Sequence, residues 1–132
     1  MRKEARRWLK QAEDDLKAAK DSLETENYNW SCFQSQQSAE KALKAYLYNL
    51  GYTSLISHSA RILLKNCIKK ESRFKDFEKE AKALDMYYIP TRYPNGLDTE
   101  ITPSEYFTKE DAQECLKYAT SILNAVKRYI KD

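Results

Sequence analysis

From residue 2 to 25 the apolar positions Ala5, Trp8, Leu9, Ala12, Leu16, Ala19 and Leu23 recur at three- and four-residue intervals, with charges on the other side. That spacing draws one stripe along a helix. A second helix is predicted from about 28 to 50, closed by Gly51 where a left-handed residue ends helices. A third and shorter one covers about 58 to 70, with Ser57 as its N-cap. Ser72 caps a fourth, in which Phe74, Phe77, Ala81, Leu84 and Tyr88 share a stripe. It has to stop near Tyr88, because Pro90 disfavours helical geometry in the residue before it. Residues 89 to 102 read as irregular, with a turn at Asn95-Gly96. Thr102-Pro103-Ser104-Glu105 is a capping-box start with proline at the first helical position, so one short turn is predicted there. Thr108-Lys109-Glu110-Asp111 is a second such start, and the last helix carries Ala112, Cys115, Leu116, Ala119, Ile122, Leu123, Val126 and Ile130 on one stripe. There is no strand pattern and no internal repeat. The fold predicted is an all-α bundle.

The second helix departs from simple amphipathicity. On a 100° wheel Tyr28, Cys32, Ala39, Leu43, Tyr46 and Leu50 gather on a core-facing side. The opposite side carries Trp30, Phe33, Gln37, Lys41, Lys44 and Tyr48, aromatic at both ends and polar between. A helix apolar on two sides has to be covered on two sides, and four helices in one chain do not easily do so. The second side is therefore expected to face another copy of the chain, a ligand cleft or, as a third option, its own chain. Trp30, Phe33 and Tyr48 are the candidate dimer contacts.

Composition narrows the class. A chain of 132 residues is one domain by length, read as residues 1–132, and 42% hydrophobic with 33% charged residues suits a water-soluble globule. Ten tyrosines against four phenylalanines favour surfaces that are both apolar and hydrogen-bonding. No apolar run approaches the ~20 residues of a membrane span, and the basic start lacks the apolar stretch of a secretory signal. A cytoplasmic location without membrane contact is expected. Cys32, Cys67 and Cys115 fall on apolar sides of predicted helices and read as buried reduced thiols. One histidine and no CxxC spacing argue against a metal site, and no cofactor is expected. The net charge of +3 is small, but residues 57–82 hold eight Lys/Arg against four acids. That stretch is either a solvated face or a patch for phosphates or an acidic partner.

Three segments, taken in order, carry a family resemblance. They are the run Gln36-Gln37-Ser38-Ala39-Glu40-Lys41-Ala42-Leu43-Lys44-Ala45, the helix opening from His58 to Leu64, and Arg92-Tyr93-Pro94 within YYIPTRYPNG. Together they resemble the HEPN domain (higher eukaryotes and prokaryotes nucleotide-binding). The resemblance implies an up-and-down bundle of four long helices with a short fifth element, in a prokaryotic homodimer. It also implies pairing with a minimal nucleotidyltransferase in a toxin–antitoxin or similar defence module, with nucleotide or RNA as a further contact. Many members are metal-independent endoribonucleases with an R-x(4–6)-H motif. Here nothing basic precedes His58 at that distance, since residues 51–54 are Gly, Tyr, Thr and Ser.

The residues themselves leave several roles open. His58 is the only imidazole available for acid–base chemistry, next to a cation such as Arg61 or Arg92. It serves equally well as a structural or binding group. Arg92 lies between prolines that limit its backbone, so a guanidinium held there suits a phosphate, with Tyr93 offering a ring face to a base. An internal pair with Glu40 or another acid, fastening the loop onto the second helix, is the competing reading. Gln37, Lys41 and Lys44 form a strip that either receives phosphates or makes the polar centre of a dimer seam. The leading expectation is a nucleotide- or RNA-contacting partner of a nucleotidyltransferase. The alternatives are an endoribonuclease using His58 with Arg92 or Arg61, and a purely structural dimeric adaptor.

Overall fold

In the computed structural model, which describes residues 1–132, the chain is helical throughout and contains no strand. The helices are α1 (Lys3–Glu24), α2 (Tyr28–Asn49), α3 (Ala60–Lys70), α4 (Glu78–Asp85), α5 (Pro103–Tyr106) and α6 (Lys109–Tyr129). The all-α bundle read from the sequence is the fold. Three helices are long. The predicted fourth rod is split, because residues Ser72–Phe77 wind as a 3₁₀ turn before α4 begins. Its N-cap is Glu71 in place of Ser72, and α4 ends at Asp85, three residues before the predicted stop. Helix α3 starts two residues late, with Ser59 in place of Ser57 accepting the Ile62 N–H at 3.1 Å. No helix is long and apolar enough to cross a membrane.

Helix α2 is the central rod: fourteen of its residues are buried, and it packs against α1, α3, α4, α5 and α6. Its contact with α1 is made of small side chains. Ala5, Ala12 and Ala19 of α1 are fully buried, as are Ser31, Ser38 and Ala42 of α2. Small residues let the two backbones approach, and the serines satisfy themselves across the gap. Ser31 Oγ donates to the Ala19 carbonyl and Ser38 Oγ to the Ala12 carbonyl, both at 2.7 Å. The larger side chains fill the opposite half of the core. Leu43, Leu47, Leu63, Leu64, Leu84 and Ile122 are buried there, with Phe74 wedged edge-on between Tyr46 and Tyr129. All three cysteines are free and buried. Gly51, at φ +98°, terminates α2 as predicted, and Thr108 and Asp111 exchange the two capping bonds that start α6.

Two expectations for α2 need correction. Leu50, placed on the core side by the wheel, is 45% exposed, because the helix has already ended at Asn49. The second face of α2 is largely covered by its own chain. Trp8 of α1 stacks on Tyr48 with ring centroids 5.5 Å apart, and residues 86–93 fold back so that Tyr88 and Arg92 lie against Phe33. Four helices suffice because a bulky aromatic from α1 and a loop after α4 do what another helix would have done. Trp30 alone of the three candidate dimer contacts remains widely open, at 46%.

Candidate functional site

Asp85, the last residue of α4, organises one end of the molecule. Its carboxylate caps α3, accepting from the Ala60 N–H at 2.7 Å, the Arg61 N–H at 3.1 Å and Ser59 Oγ at 2.6 Å. A carboxylate at a helix N-terminus satisfies donors that have no partner within the helix and meets the positive end of its dipole. Buried Gln36 of α2 ties into the same joint, donating to the His58 carbonyl at 2.9 Å and reaching Asp85 at 3.4 Å. The backbone of His58 is thereby fixed from α2, while its side chain stays 60% exposed.

The imidazole of His58 is held at two points. Its Nδ1 lies 3.4 Å from Glu40 Oε1, and its ring stacks on Tyr88 at 5.5 Å with planes inclined by 14°. Glu40 is only 2% exposed, and its other oxygen lies 3.1 Å from the ammonium of Lys44, which is 3% exposed. Gln37 donates to Glu40 at 3.2 Å and to Gln36 at 2.8 Å. With Nδ1 facing a carboxylate, Nε2 is left without a protein partner, so it is the nitrogen open to a ligand. His58, Ser59, Asp85 and Tyr88 line a shallow cavity of about 300 Å³.

Arg92 lies on the other reach of Tyr88. Its guanidinium carbon is 4.2 Å from the ring centre of Phe33, 4.7 Å from that of Tyr88 and 5.2 Å from that of Tyr93. The Nε–H donates to the Tyr88 carbonyl at 3.0 Å, and no carboxylate pairs with the group. Glu40 is committed to Lys44 and His58, so the internal Arg92–Glu40 pair weighed from the sequence does not form. Thr91 anchors this segment, donating to the Tyr87 carbonyl at 2.6 Å and accepting Asn29 Nδ2 on its own carbonyl at 3.1 Å. Three rings thus surround the guanidinium of an arginine whose terminal nitrogens remain available.

The remaining candidates separate. Lys44 is turned inward beneath Trp8, 5.2 Å from its ring, so its ammonium does not reach solvent. The reason is Glu40 one turn earlier, which draws the lysine inward to neutralise a buried charge. Lys41 pairs with Asp15 of α1 at 2.6 Å in a half-buried bridge. Arg61 does not line the His58 cavity; it borders a groove between α3 and α4 with Lys65, Ile68, Lys82 and one acid, Glu78. That groove runs on into a cavity of about 590 Å³ bordered by Ile62, Lys69 and Lys75, so the basic stretch of residues 57–82 has a defined place. Tyr93 is 49% exposed beside Arg92. The fold brings together Gln37, His58, Arg92 and Tyr93, with Phe33 beneath, and leaves Lys41, Lys44 and Arg61 out. Asp85, Gln36 and Tyr88 were not singled out from the sequence as site residues. The one signal for Asp85 was an acid at the end of a helical stripe, 25 residues from the Ala60 amide it caps.

An all-α bundle with its polar chemistry strung along one central helix, and with a single open histidine beside a free arginine, defines a compact class of domain. A family model described as the HEPN domain matches residues 5–129, and the chain belongs to that family. It is 36% identical to MJ1304 of Methanocaldococcus jannaschii, named as a candidate toxin, in an alignment covering 98% of this chain and 90% of that one. It is also 26% identical to human sacsin over 97% of its own length, which is 3% of sacsin. Among solved structures, TT1696 from Thermus thermophilus superposes with a TM-score of 0.88 at 38% identity, covering 94% of this chain and 96% of that one. ST0689, described as an archaeal HEPN homologue, gives a TM-score of 0.80 at 40% identity over 99% of this chain and all of its own.

Proposed function

We propose that the chain is the toxin-like, RNA- or nucleotide-contacting half of a two-component module, with a minimal nucleotidyltransferase as its partner. The observation that carries this reading is Arg92, held among the rings of Phe33, Tyr88 and Tyr93 with no carboxylate on it. A guanidinium fixed in this way can meet a phosphate with two parallel hydrogen bonds, and the adjoining tyrosine faces can take a base. His58 adds a second polar group on the same tyrosine, and Gln37 borders it. The lysine-bordered groove of α3 and α4 suits an acidic partner surface or a phosphate chain. Likeness to an archaeal protein named as a candidate toxin supports the toxin-like role. Two copies, meeting through open Trp30 and neighbouring Phe33, would shelter the exposed aromatic edge. The test is fluorescence anisotropy with a labelled oligouridylate and with ATP. Arg92→Ala should weaken binding of one of them about tenfold, a loss of about 1.4 kcal/mol. Unchanged binding of both in that variant sinks the reading.

A second reading, metal-independent RNA cleavage, is favoured by one detail: Glu40 facing Nδ1 leaves Nε2 of His58 to accept a proton. In that reaction Nε2 takes the proton of a ribose 2′-hydroxyl, whose oxygen bonds the adjacent phosphorus to give a 2′,3′-cyclic phosphate, while the P–O5′ bond breaks and the 5′-oxygen leaves as a hydroxyl with a proton from water; Arg92 offsets the charge gathering on phosphate. Cleavage of RNA in EDTA that disappears with His58→Ala would establish it. No cleavage by the unmodified protein removes it and leaves binding alone.

A further inference from the structure

The segment after α4 has two faces. Tyr88 and Arg92 look toward α2, whereas Tyr87 and Pro90 line a separate cavity of about 690 Å³ between α4, the irregular segment, α5 and the start of α6. Its walls are aromatic. Phe107 stands between Tyr87, at 5.8 Å and 52°, and Tyr106, at 5.1 Å and 80°. Its charges are all of one sign. Asp98, Asp111 and Glu114 border it, and no lysine, arginine or histidine does.

That combination is unusual in a chain with 23 basic residues and a net charge of +3. None of the three carboxylates takes part in an ion pair, and Asp111 spends one oxygen on capping α6, accepting the Thr108 N–H at 2.9 Å. The pKa of the Tyr87 hydroxyl is raised, chiefly by burial, and the negative charge of Asp111 and Glu114 adds to the rise. Large apolar side chains nevertheless stand open at the mouth, Met86 at 72% and Tyr106 at 49%. An uncharged apolar ligand would leave the carboxylates facing it unpaired, and an anion would be repelled by all three. A cation with an aliphatic body fits both halves of the lining, its charge toward the carboxylates and the ring faces and its methylenes on Met86 and Phe107. The volume lies in the range of small-molecule sites, which is several hundred cubic ångströms.

We propose that this cavity binds an organic cation, an alkylammonium or guanidinium group, independently of the His58–Arg92 surface. The same chemistry reaches the site from two sources, a free polyamine or a lysine or arginine side chain on a partner protein. Isothermal titration of the full chain with spermidine, and separately with an acetylated glycine–serine hexapeptide carrying one central arginine, distinguishes them. At least one probe should bind saturably at one per chain. Tighter binding of the peptide assigns the site to a partner's side chain, and tighter binding of spermidine assigns it to the free amine. Tyr106→Ala, and the double variant Asp98→Asn with Glu114→Gln, should each weaken that binding at least tenfold. All three residues are exposed, so thermal melting by circular dichroism should stay close to that of the parent. Asp111 is left alone because its substitution would uncap α6. Arg92→Ala should leave cation binding unchanged, so failure of the nucleotide site and failure of this one can be told apart. The absence of saturable binding for both probes, or binding that survives both variants, overturns the proposal.

Discussion

At each end of helix α2 a cation lies against aromatic rings, Lys44 from the helix itself and Arg92 from the segment after α4, and the two ends are resolved in opposite ways. Near its C-terminus Lys44 lies under Trp8, which is itself stacked on Tyr48, and Glu40 neutralises the lysine at 3.1 Å in a place water does not reach. Near its N-terminus Arg92 lies over Phe33 and Tyr88 with no carboxylate beside it, half open to solvent. The first cluster is closed electrostatically and sterically, so it can only hold the fold. The second is preorganised yet unsatisfied, which is the condition of a binding group. Glu40 joins them, since its second oxygen faces His58. The lesson is that aromatic–cation pairs in one helix face do not share a role; the counter-charge decides it.

The sharpest way to break the closed cluster is to remove its carboxylate. Glu40→Leu leaves Lys44 buried without a partner, and the expected loss is about 3–5 kcal/mol in urea unfolding. Glu40→Leu combined with Lys44→Met should regain most of it, because well-packed apolar groups replace a buried pair at little or no cost. A single variant that loses under about 1 kcal/mol would mean the lysine escapes to water and the cluster is not closed. Next in size is Asp85, which joins the open end to the fold. Asp85→Ala removes the acceptor for two α3 amides and Ser59 Oγ, at an expected cost of about 2 kcal/mol. Asp85→Asn, which keeps one oxygen, should lose less, and both should loosen the histidine on Tyr88, seen as changed His58 ring shifts by NMR.

Arg92 is the reverse case. Its stacking on exposed or half-exposed rings contributes under about 1 kcal/mol to stability, so Arg92→Ala should melt close to the parent while losing nucleotide or RNA binding. Arg92→Lys should not restore binding, because an ammonium offers no planar fork to a phosphate. A variant with the opposite profile, unstable but still binding, would make Arg92 a fastener of the irregular segment and erase the contrast with Lys44.

Periodicity in the sequence was enough to find α1, α2, α6 and the all-α class, because α1 and α6 each carry one long stripe and α2 is apolar on two sides at helical spacing. Gly51 and the Thr108–Asp111 box could be read for a local reason, since each acts on its own neighbours, whereas Pro90 set only an outer limit for α4, which ends at Asp85. The joint at Asp85 could not be read locally, since its donors lie 24 to 49 residues away and nothing in the spacing links them. The α1–α2 contact was half-legible. Its alanines follow the stripe, but Ser31 and Ser38 look like polar surface until their hydroxyls find the carbonyls of α1. Lys44 was misplaced by the same limit, as a wheel assigns a direction to a side chain without knowing that Glu40 pulls it inward. The aromatic, proline-flanked character of residues 87–94 did single out Arg92, though not Tyr88 as the ring it shares with His58.

A third cation–aromatic pair tests the rule at its weakest. Arg73 lies 4.3 Å from the ring centre of Tyr129 and pairs with Glu71 at 2.9 Å, so it has a counter-charge like Lys44 but is exposed like Arg92. The hydrogen bond from Arg73 is the main cause of a Glu71 pKa lowered from 4.5 to about 2. A carboxylate whose folded pKa is depressed contributes stability that is present above its unfolded pKa and is lost as pH falls toward the folded one. The melting temperature should therefore drop between about pH 4.5 and pH 2 more steeply in the parent than in Glu71→Gln, with the two curves running parallel above pH 5. The difference should be the smallest of the effects described here, and 1 M salt should shrink it, since exposed pairs are screened. If salt leaves it intact, exposure does not weaken this pair, and the counter-charge alone would rank all three clusters.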